Sequence, residues 1–383
     1  MTSTSFTINS QTILHVPQEF PFTINSFPYP YDVSVIKTAN DYYQLLENAD
    51  FIIVDKNISN IYGLGSNNKA KIFTIDASES EKNMNTVLRL IDKMIENEIS
   101  KGSLVLAIGG GIIQDISACA SALFRRGQPF YYLPTTSLGQ LDSCVGAKCA
   151  INTDKAKNII GLFSAPRAVL IPLFMISSMP IKDHRAGLAE MLRLCLTASD
   201  SAFYTYNKIF GNISDPQNID ENAYMEALSL SLSIKKSVVD FDEYEKDVRR
   251  SMNYGHTFGH AIEKLVDFSI PHGIAVLIGI HISNTFSYKS GLMNQSVFSD
   301  ISQSIKMTLN GSHLNLDSLN SLNPQHIIDQ FKYDKKGDGQ SVPLIIIEKP
   351  GSMLFHRYEF SSKSQLLIDS LSCALDDILK WTN

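Results

Sequence analysis

The sequence predicts an α/β N-terminal domain built on a parallel sheet, followed by a mostly α-helical C-terminal domain. Three observations carry this. Between about 31 and 170, short apolar runs alternate with amphipathic stretches, the pattern of strands joined by crossover helices. After about 175, helical periods dominate. Strand character returns only near 342–348, in VPLIIIE. Taken in order, SFTI, TILHV and PFTI form a strand-rich lead-in separated by Asn, Ser and Pro. DVSVI, DFIIVD and KIFTID read as strands because they are short and rich in Val and Ile. MNTVLRLIDKMIENEIS repeats apolar residues at three- and four-residue steps and reads as a helix. SLVLAIGGG is a buried strand ending in three glycines, IIQDISACASALF a helix, and PFYYLPTT a further strand. Proline breaks the pattern in SAPRAVLIPLFMISSMP. Helical periods follow in DHRAGLAEMLRLCLTA, ENAYMEALSLSLSIKKSVVDF, YGHTFGHAIEKLVD and GIAVLIGIHISNTFSYKSG. The reading divides the chain into an N-terminal extension (1–25), an α/β domain (26–175) and a helical domain (176–383).

Composition excludes several classes. The chain has 383 residues with 21 Gly and 14 Pro, neither collagen-like nor broadly disordered. Its formal charge of −6 argues against a nucleic-acid binder. No apolar run reaches the ~18 residues of a membrane span, and MTSTSFTINSQT lacks the basic start and apolar core of a signal peptide. The cysteines at 119, 144, 149, 195 and 373 contain no CxxC pair and read as reduced thiols of a cytoplasmic protein.

Four constellations carry chemistry. Gly109, Gly110 and Gly111 end a strand and open a helix. Bare backbone there admits a pyrophosphate to the helix N-terminus, as in a dinucleotide site, but a plain tight turn accounts for them equally well. Asp115 lies one turn further on. Arg126, Asp142, Lys148, Lys157 and Asn158 fall in a loop-rich stretch, where arginine, lysine and amide donors suit a phosphate and solvated surface charge is the plain alternative. Glu190, His256 and His272 offer a carboxylate and two imidazoles, a three-ligand zinc set with an open position. HTFGH has no Glu at its second position, which argues against a zinc protease. Lys235, Arg249 and Asn253 suit a carboxylate or phosphate clamp, with the last two on one face if the helix continues. On the residues alone, an exposed charged helix explains DFDEYEKDVRR better.

Together GGGIIQD, LPTTSLGQLDSCVGAK, KNIIGLF, RAGLAEML, NYGHTFGHAIE and PHGIAV resemble the successive motifs of the 3-dehydroquinate synthase family and its relatives, the sugar phosphate cyclases. The resemblance runs in order from about Asp55 to Lys336. The resemblance implies an NAD-binding α/β domain and a helical metal-binding domain in a homodimer. It implies NAD contacts at Asp55, Asn57, Glu79, Lys82, the three glycines, Asp115, Thr135, Thr136 and Lys157. It assigns a divalent metal, zinc or else cobalt, to Glu190, His256 and His272. The implied catalytic set is Asp142, Lys148, Arg193, Lys235, Arg249, Asn253 and His260. The substrate phosphate falls to Lys148, Asn158, Lys335 in the DKK at 334–336, and Arg126 from the neighbouring subunit.

Three positions depart from the resembled pattern. Arg193 stands where the family carries Lys, Ile274 where it carries an acid, and Ala147 where it carries Gly. Lys235 and Arg249, which the resemblance assigns to a substrate carboxylate, are retained, as are Asn253 and His260. The expected reaction is therefore cyclisation of a phosphorylated seven-carbon sugar acid with loss of phosphate, through transient oxidation by NAD⁺. A neutral sugar phosphate, such as sedoheptulose 7-phosphate or glucose 6-phosphate, and a glycerol-type dehydrogenase reaction are the alternatives.

Overall fold

The computed structural model describes residues 3–64, 70–332, 341–359 and 364–382. Contacts divide the chain into two units, Gln18–Met179 and Met1–Pro17 with Pro180–Asn383. The chain begins with the hairpin β1 (Thr4–Ile8) and β2 (Gln11–His15).

In the unit 18–179 the alternating apolar runs give β3 (Phe22–Ile24), β4 (Tyr31–Ile36), α1 (Ala39–Glu47), β5 (Phe51–Asp55), α2 (Lys56–Ile61), β6 (Lys71–Ile75), α3 (Met84–Glu96), β7 (Val105–Gly109), α4 (Gly111–Leu123) and β8 (Tyr131–Pro134). They continue as β9 (Lys148–Thr153), β10 (Ala156–Phe163) and β11 (Ala168–Pro172). The sheet order is β3-β4-β11-β8-β7-β5-β6, parallel apart from the antiparallel β3. The central β7 is buried along its whole length, as a strand covered on both faces must be. Helix starts follow local chemistry: Thr38, Asp55 and Asn83 each accept a hydrogen bond from a backbone N–H two or three residues on. The stretch read as loop-rich instead contains an antiparallel ribbon, in which Leu162 pairs with Cys149. The run AVLIP, inside the Pro-broken segment, is β11 and pairs in register with β4.

The second unit holds α5 (Ile181–Ala198), α6 (Asp200–Ile213), α7 (Glu221–Phe241), α8 (His256–Leu265), α9 (His272–Lys289), α10 (Gln295–Leu309), α11 (Leu316–Asn320), α12 (Pro324–Lys332), β12 (Ser341–Lys349), β13 (Ser352–Glu359) and α13 (Ser364–Thr382). α9 is apolar on every side and buried from Gly273 to Ser287, as expected of a central helix. β1 adds parallel to β13, with Thr7 opposite Ser352, and completes a four-stranded sheet β12-β13-β1-β2. Among the described residues, no helix is long and apolar enough to cross a membrane.

Candidate functional site

Glycine brings the histidines together. His256 opens α8 from Gly255, whose φ of 80° is left-handed and whose added Cβ would lie 2.6 Å from the Val276 carbonyl oxygen. A Cβ on Gly259 would meet Val276 Cα at 2.9 Å, and one on Gly279 would meet the Gly255 carbonyl at 2.1 Å. The backbones of α8 and α9 are therefore in direct contact. One turn apart on α8, His256 and His260 face His272 at the start of α9. Gly273 does the same against α5: its Cβ would fall 2.0 Å from the Ala186 carbonyl oxygen.

Ring centroids are 5.3 Å apart for His256–His260 and His256–His272, and 5.7 Å for His260–His272. One nitrogen of each lies within 4.8 Å of the others. Glu190 Oε1, on α5, is 3.5 Å from His272 Nε2 and 3.8 Å from His256 Nε2. The structure thus gathers Glu190, His256 and His272 and adds His260 to the same cluster. His256 Nδ1 donates to the Tyr254 carbonyl at 3.3 Å, and His272 Nδ1 lies 3.2 Å from both oxygens of Glu263. These bonds leave each Nε2 toward Glu190.

Electrostatics fit a cation. Burial, then the neighbouring His272, Arg193 and His260, push His256 well below the usual imidazole range. His272 is lowered by burial, but hydrogen bonding to Glu263 and the charges of Glu190 and Glu263 prevail and leave it raised. Glu190 and Glu263 thus act on the histidines against the single charge of Arg193. Glu190 Oε1 is buried and has no hydrogen-bond partner. A partnerless buried carboxylate oxygen facing two imidazole nitrogens suits a divalent metal of the zinc class. Beside it lies a cavity of about 780 Å³, lined by Asn253, His256, His260, Lys264 and Arg357 and by apolar Phe331.

Lys235 on α7 and Arg249 are buried, which sets aside the exposed charged helix as their explanation. Arg249 and Asn253 do not share an α-helical face. They lie in a 3-10 turn, Val248–Asn253, in which positions four apart diverge. Each is held separately. Arg249 donates its backbone N–H to Asp242 Oδ2 at 3.1 Å and its Nη1 to the Glu243 carbonyl. Asn253 Nδ2 donates to Glu245 Oε1 at 2.6 Å. Although burial raises Asp242, N–H donors from Asp247, Lys246 and Arg249 hold its carboxyl below the usual range. Sequence reasoning missed Asp242, Glu245 and Glu263. The one signal was position: Glu263 falls one turn after His260.

The unit 18–179 carries a second set. Gly111 opens α4, and its added Cβ would meet nothing within 4 Å, whereas one on Gly110 would lie 2.8 Å from Thr136 Cγ2 and one on Gly109 2.3 Å from Ile113 Cγ1. The α4 N-terminus has no side-chain cap, so open space and N–H donors coincide there, as a pyrophosphate requires. The Thr135 backbone N–H donates to the Gly109 carbonyl at 3.1 Å. Asp115 pairs with Lys82 at 2.6 Å, and Lys82 Nζ donates to Asn158 Oδ1 at 2.7 Å. Lys157 Nζ is 3.6 Å from Glu79 Oε1, which accepts from Asn152 Nδ2 at 2.7 Å. Asn152, absent from the sequence reading, links this chain by accepting the Asn158 N–H at 2.9 Å. Asp55 caps α2 by accepting the Asn57 N–H at 2.7 Å. Asp142 is buried in a π-helical turn, Gly139–Ser143, and Lys148 is exposed at the head of β9. Arg126 is exposed on the turn after α4, outside this network among the described residues. Lys335 lies outside the described residues.

Comparison with known proteins gives a consistent result. Residues 72–186 match the family model for 3-dehydroquinate synthase N-terminal, and residues 187–337 that for 3-dehydroquinate synthase C-terminal. A 3-dehydroquinate synthase of Prochlorococcus marinus (strain AS9601) is 36% identical over 252 residues, 64% of this chain and 69% of that one. Another, of Campylobacter concisus (strain 13826), is 31% identical over 283 residues, 73% and 78% of the two chains. Among solved structures, 2-epi-5-epi-valiolone synthase from Streptomyces hygroscopicus subsp. jinggangensis 5008, with NAD⁺ and Zn²⁺ bound, is similar at a TM-score of 0.79 and 23% identity, over 92% of this chain and 98% of that one. A 2-deoxy-scyllo-inosose synthase complexed with carbaglucose-6-phosphate, NAD⁺ and Co²⁺ gives 0.74 at 21% identity, over 92% and 99%. At these identities the two structures show a shared fold.

Proposed function

The chain belongs to the 3-dehydroquinate synthase family, and from that premise we propose that it cyclises a phosphorylated seven-carbon sugar acid, 3-deoxy-arabino-heptulosonate 7-phosphate or a close acidic analogue, with loss of phosphate. The observation that carries the reading is the partnerless Glu190 Oε1 facing His256 and His272. When bound, NAD⁺ supplies reversible hydride transfer at a ring carbon, and a divalent metal supplies the Lewis acidity that polarises the resulting carbonyl.

The chain's own residues do the rest. Glu190, His256 and His272 hold the metal. Gly111 leaves the α4 N-terminus bare for the dinucleotide while Gly109 and Gly110 pack closely behind it, and Lys82, set by Asp115, serves the dinucleotide with Glu79 and Lys157. Asp55 and Asn57 close the end of β5, and Thr135 and Thr136 the end of β8. Lys235 and Arg249 bind the substrate carboxylate, with Asn253 and Asp142 orienting hydroxyls. His260 holds or releases a proton at its ring nitrogen. Lys148, Asn158 and Lys335 bind the departing phosphate, and Arg126 serves the phosphate of a second subunit in a homodimer. The five free cysteines suit a reducing, cytoplasmic setting.

Phosphate release with NAD⁺ and Zn²⁺ tests this across three substrates: the acidic heptulosonate, sedoheptulose 7-phosphate and glucose 6-phosphate. Turnover of the acidic substrate without net NADH supports the proposal. Reaction with a neutral sugar alone overturns the carboxylate assignment of Lys235 and Arg249. Net NADH accumulation from a simple alcohol makes the protein a dehydrogenase.

A further inference from the structure

The sequence reading groups Arg193 with the catalytic residues, but its surroundings give it a different task. Arg193 lies one turn beyond Glu190 on α5, and the two side chains are 2% and 1% exposed. Its Nε donates to Glu190 Oε2 at 2.5 Å. Nη1 lies 3.6 Å from Met252 Sδ, on the 3-10 turn that also carries Arg249. Thr197 Oγ1 in turn donates to the Arg193 carbonyl at 2.9 Å. The guanidinium therefore takes one oxygen of Glu190 and leaves the other, Oε1, aimed at His256 Nε2 and His272 Nε2. A carboxylate held at one oxygen by a planar guanidinium has lost its freedom to turn both oxygens toward a cation.

Resting on the metal reading above, we propose that Arg193 is a positioning residue, which fixes Glu190 through Oε2 so that the carboxylate meets a divalent cation through Oε1 alone. A guanidinium cannot serve this role and also shuttle protons, since it keeps its charge at any pH the protein survives. Proton transfer is left to other groups, His260 among them.

The test is metal binding, independent of turnover. Full-length protein is stripped with a chelator and titrated with Co²⁺, read by visible absorption, and with Zn²⁺ against a chromophoric chelator. Arg193→Met is expected to weaken both metals roughly 10- to 100-fold, the usual effect of losing a partner of a metal ligand, and to change the Co²⁺ band intensity. Arg193→Lys, which restores one charged donor, is expected to return the parental spectrum at intermediate affinity. Parental affinity and spectrum in Arg193→Met overturn the proposal. Should that variant fail to fold, Arg193→Lys decides: affinity at least about threefold below the parent supports the proposal, and parental or tighter affinity overturns it. Glu190→Gln and His256→Asn separate the two levels. If they too bind metal as the parent does, the metal reading itself fails. If they lose it while Arg193→Met does not, only the role of Arg193 fails.

Discussion

Two buried histidines outside the Glu190, His256, His260 and His272 cluster add to the acid sensitivity of the helical unit. His15 on β2 lies between Thr4 Oγ1 (3.2 Å) and Ser233 Oγ (2.9 Å), and burial lowers it to about 4. His184 on α5 donates from Nε2 to the Ile213 carbonyl at 2.6 Å and is lowered, by burial first, to about 4. Both are neutral when folded and titrate near 6.5 when unfolded. Between those values the unfolded chain binds more protons, so acidification favours unfolding. The stabilising contribution is complete above about pH 6.5 and is lost as pH falls toward about 4. Each histidine should cost about 2 kcal/mol by pH 5. Urea midpoints from pH 7 to pH 5 check this: His15→Gln with His184→Gln should flatten the slope, and an unchanged slope would rule the two residues out. Glu190, His256 and His272 were legible in the sequence as residues of ligand-forming type, and folding brings them together, whereas Glu245, Glu263 and Asn152 act through partners that only folding supplies.

At the scale of elements, glycine separates binding from packing. Gly111→Ala adds a methyl to open space at the α4 N-terminus, so the fold should be kept while NAD⁺ affinity falls at least about tenfold through lost backbone approach. Gly279→Ala drives a methyl to 2.1 Å from a backbone carbonyl and should destabilise the α8–α9 contact by about 2 kcal/mol or more. Calorimetry beside dinucleotide titration distinguishes them; the idea is sunk if Gly111→Ala melts early or Gly279→Ala does not. The β7–glycine–α4 passage was legible because an apolar run, three glycines and a helical period adjoin in the chain. The ribbon β9–β10 was not: β10 is exposed along nearly its whole length and offers no apolar alternation to read. β13 escaped for a similar reason, since SMLFHRYE mixes polar and apolar residues and is defined by its neighbours β12 and β1.

At the scale of the molecule, residues 1–17 belong by contact to the unit 180–383. Phe6, Ile8 and Ile13 are 2%, 0% and 1% exposed, and burial of each such side chain is worth about 1.5–3 kcal/mol. Deleting residues 1–17 should therefore lower the hydrogen-exchange protection of β12, β13 and α7 amides while sparing β5, β7 and β8. Equal loss in both sets would show that the hairpin does not stabilise the helical unit selectively. Strand character at the N-terminus was legible from SFTI and TILHV, but the partner of β1 was not, because pairing across almost the whole chain leaves no periodic trace.

That parallel pairing of β1 with β13 also dictates an order of events on the ribosome. A nascent chain has β1 paired with β2 on one edge, while the other edge lacks its partner until β13 has been translated. The intervening unit 18–179 is continuous in sequence and acquires all its strands well before then. Vectorial synthesis thus leaves the hairpin with an open strand edge until its late partner emerges, which makes stray pairing a hazard of that interval.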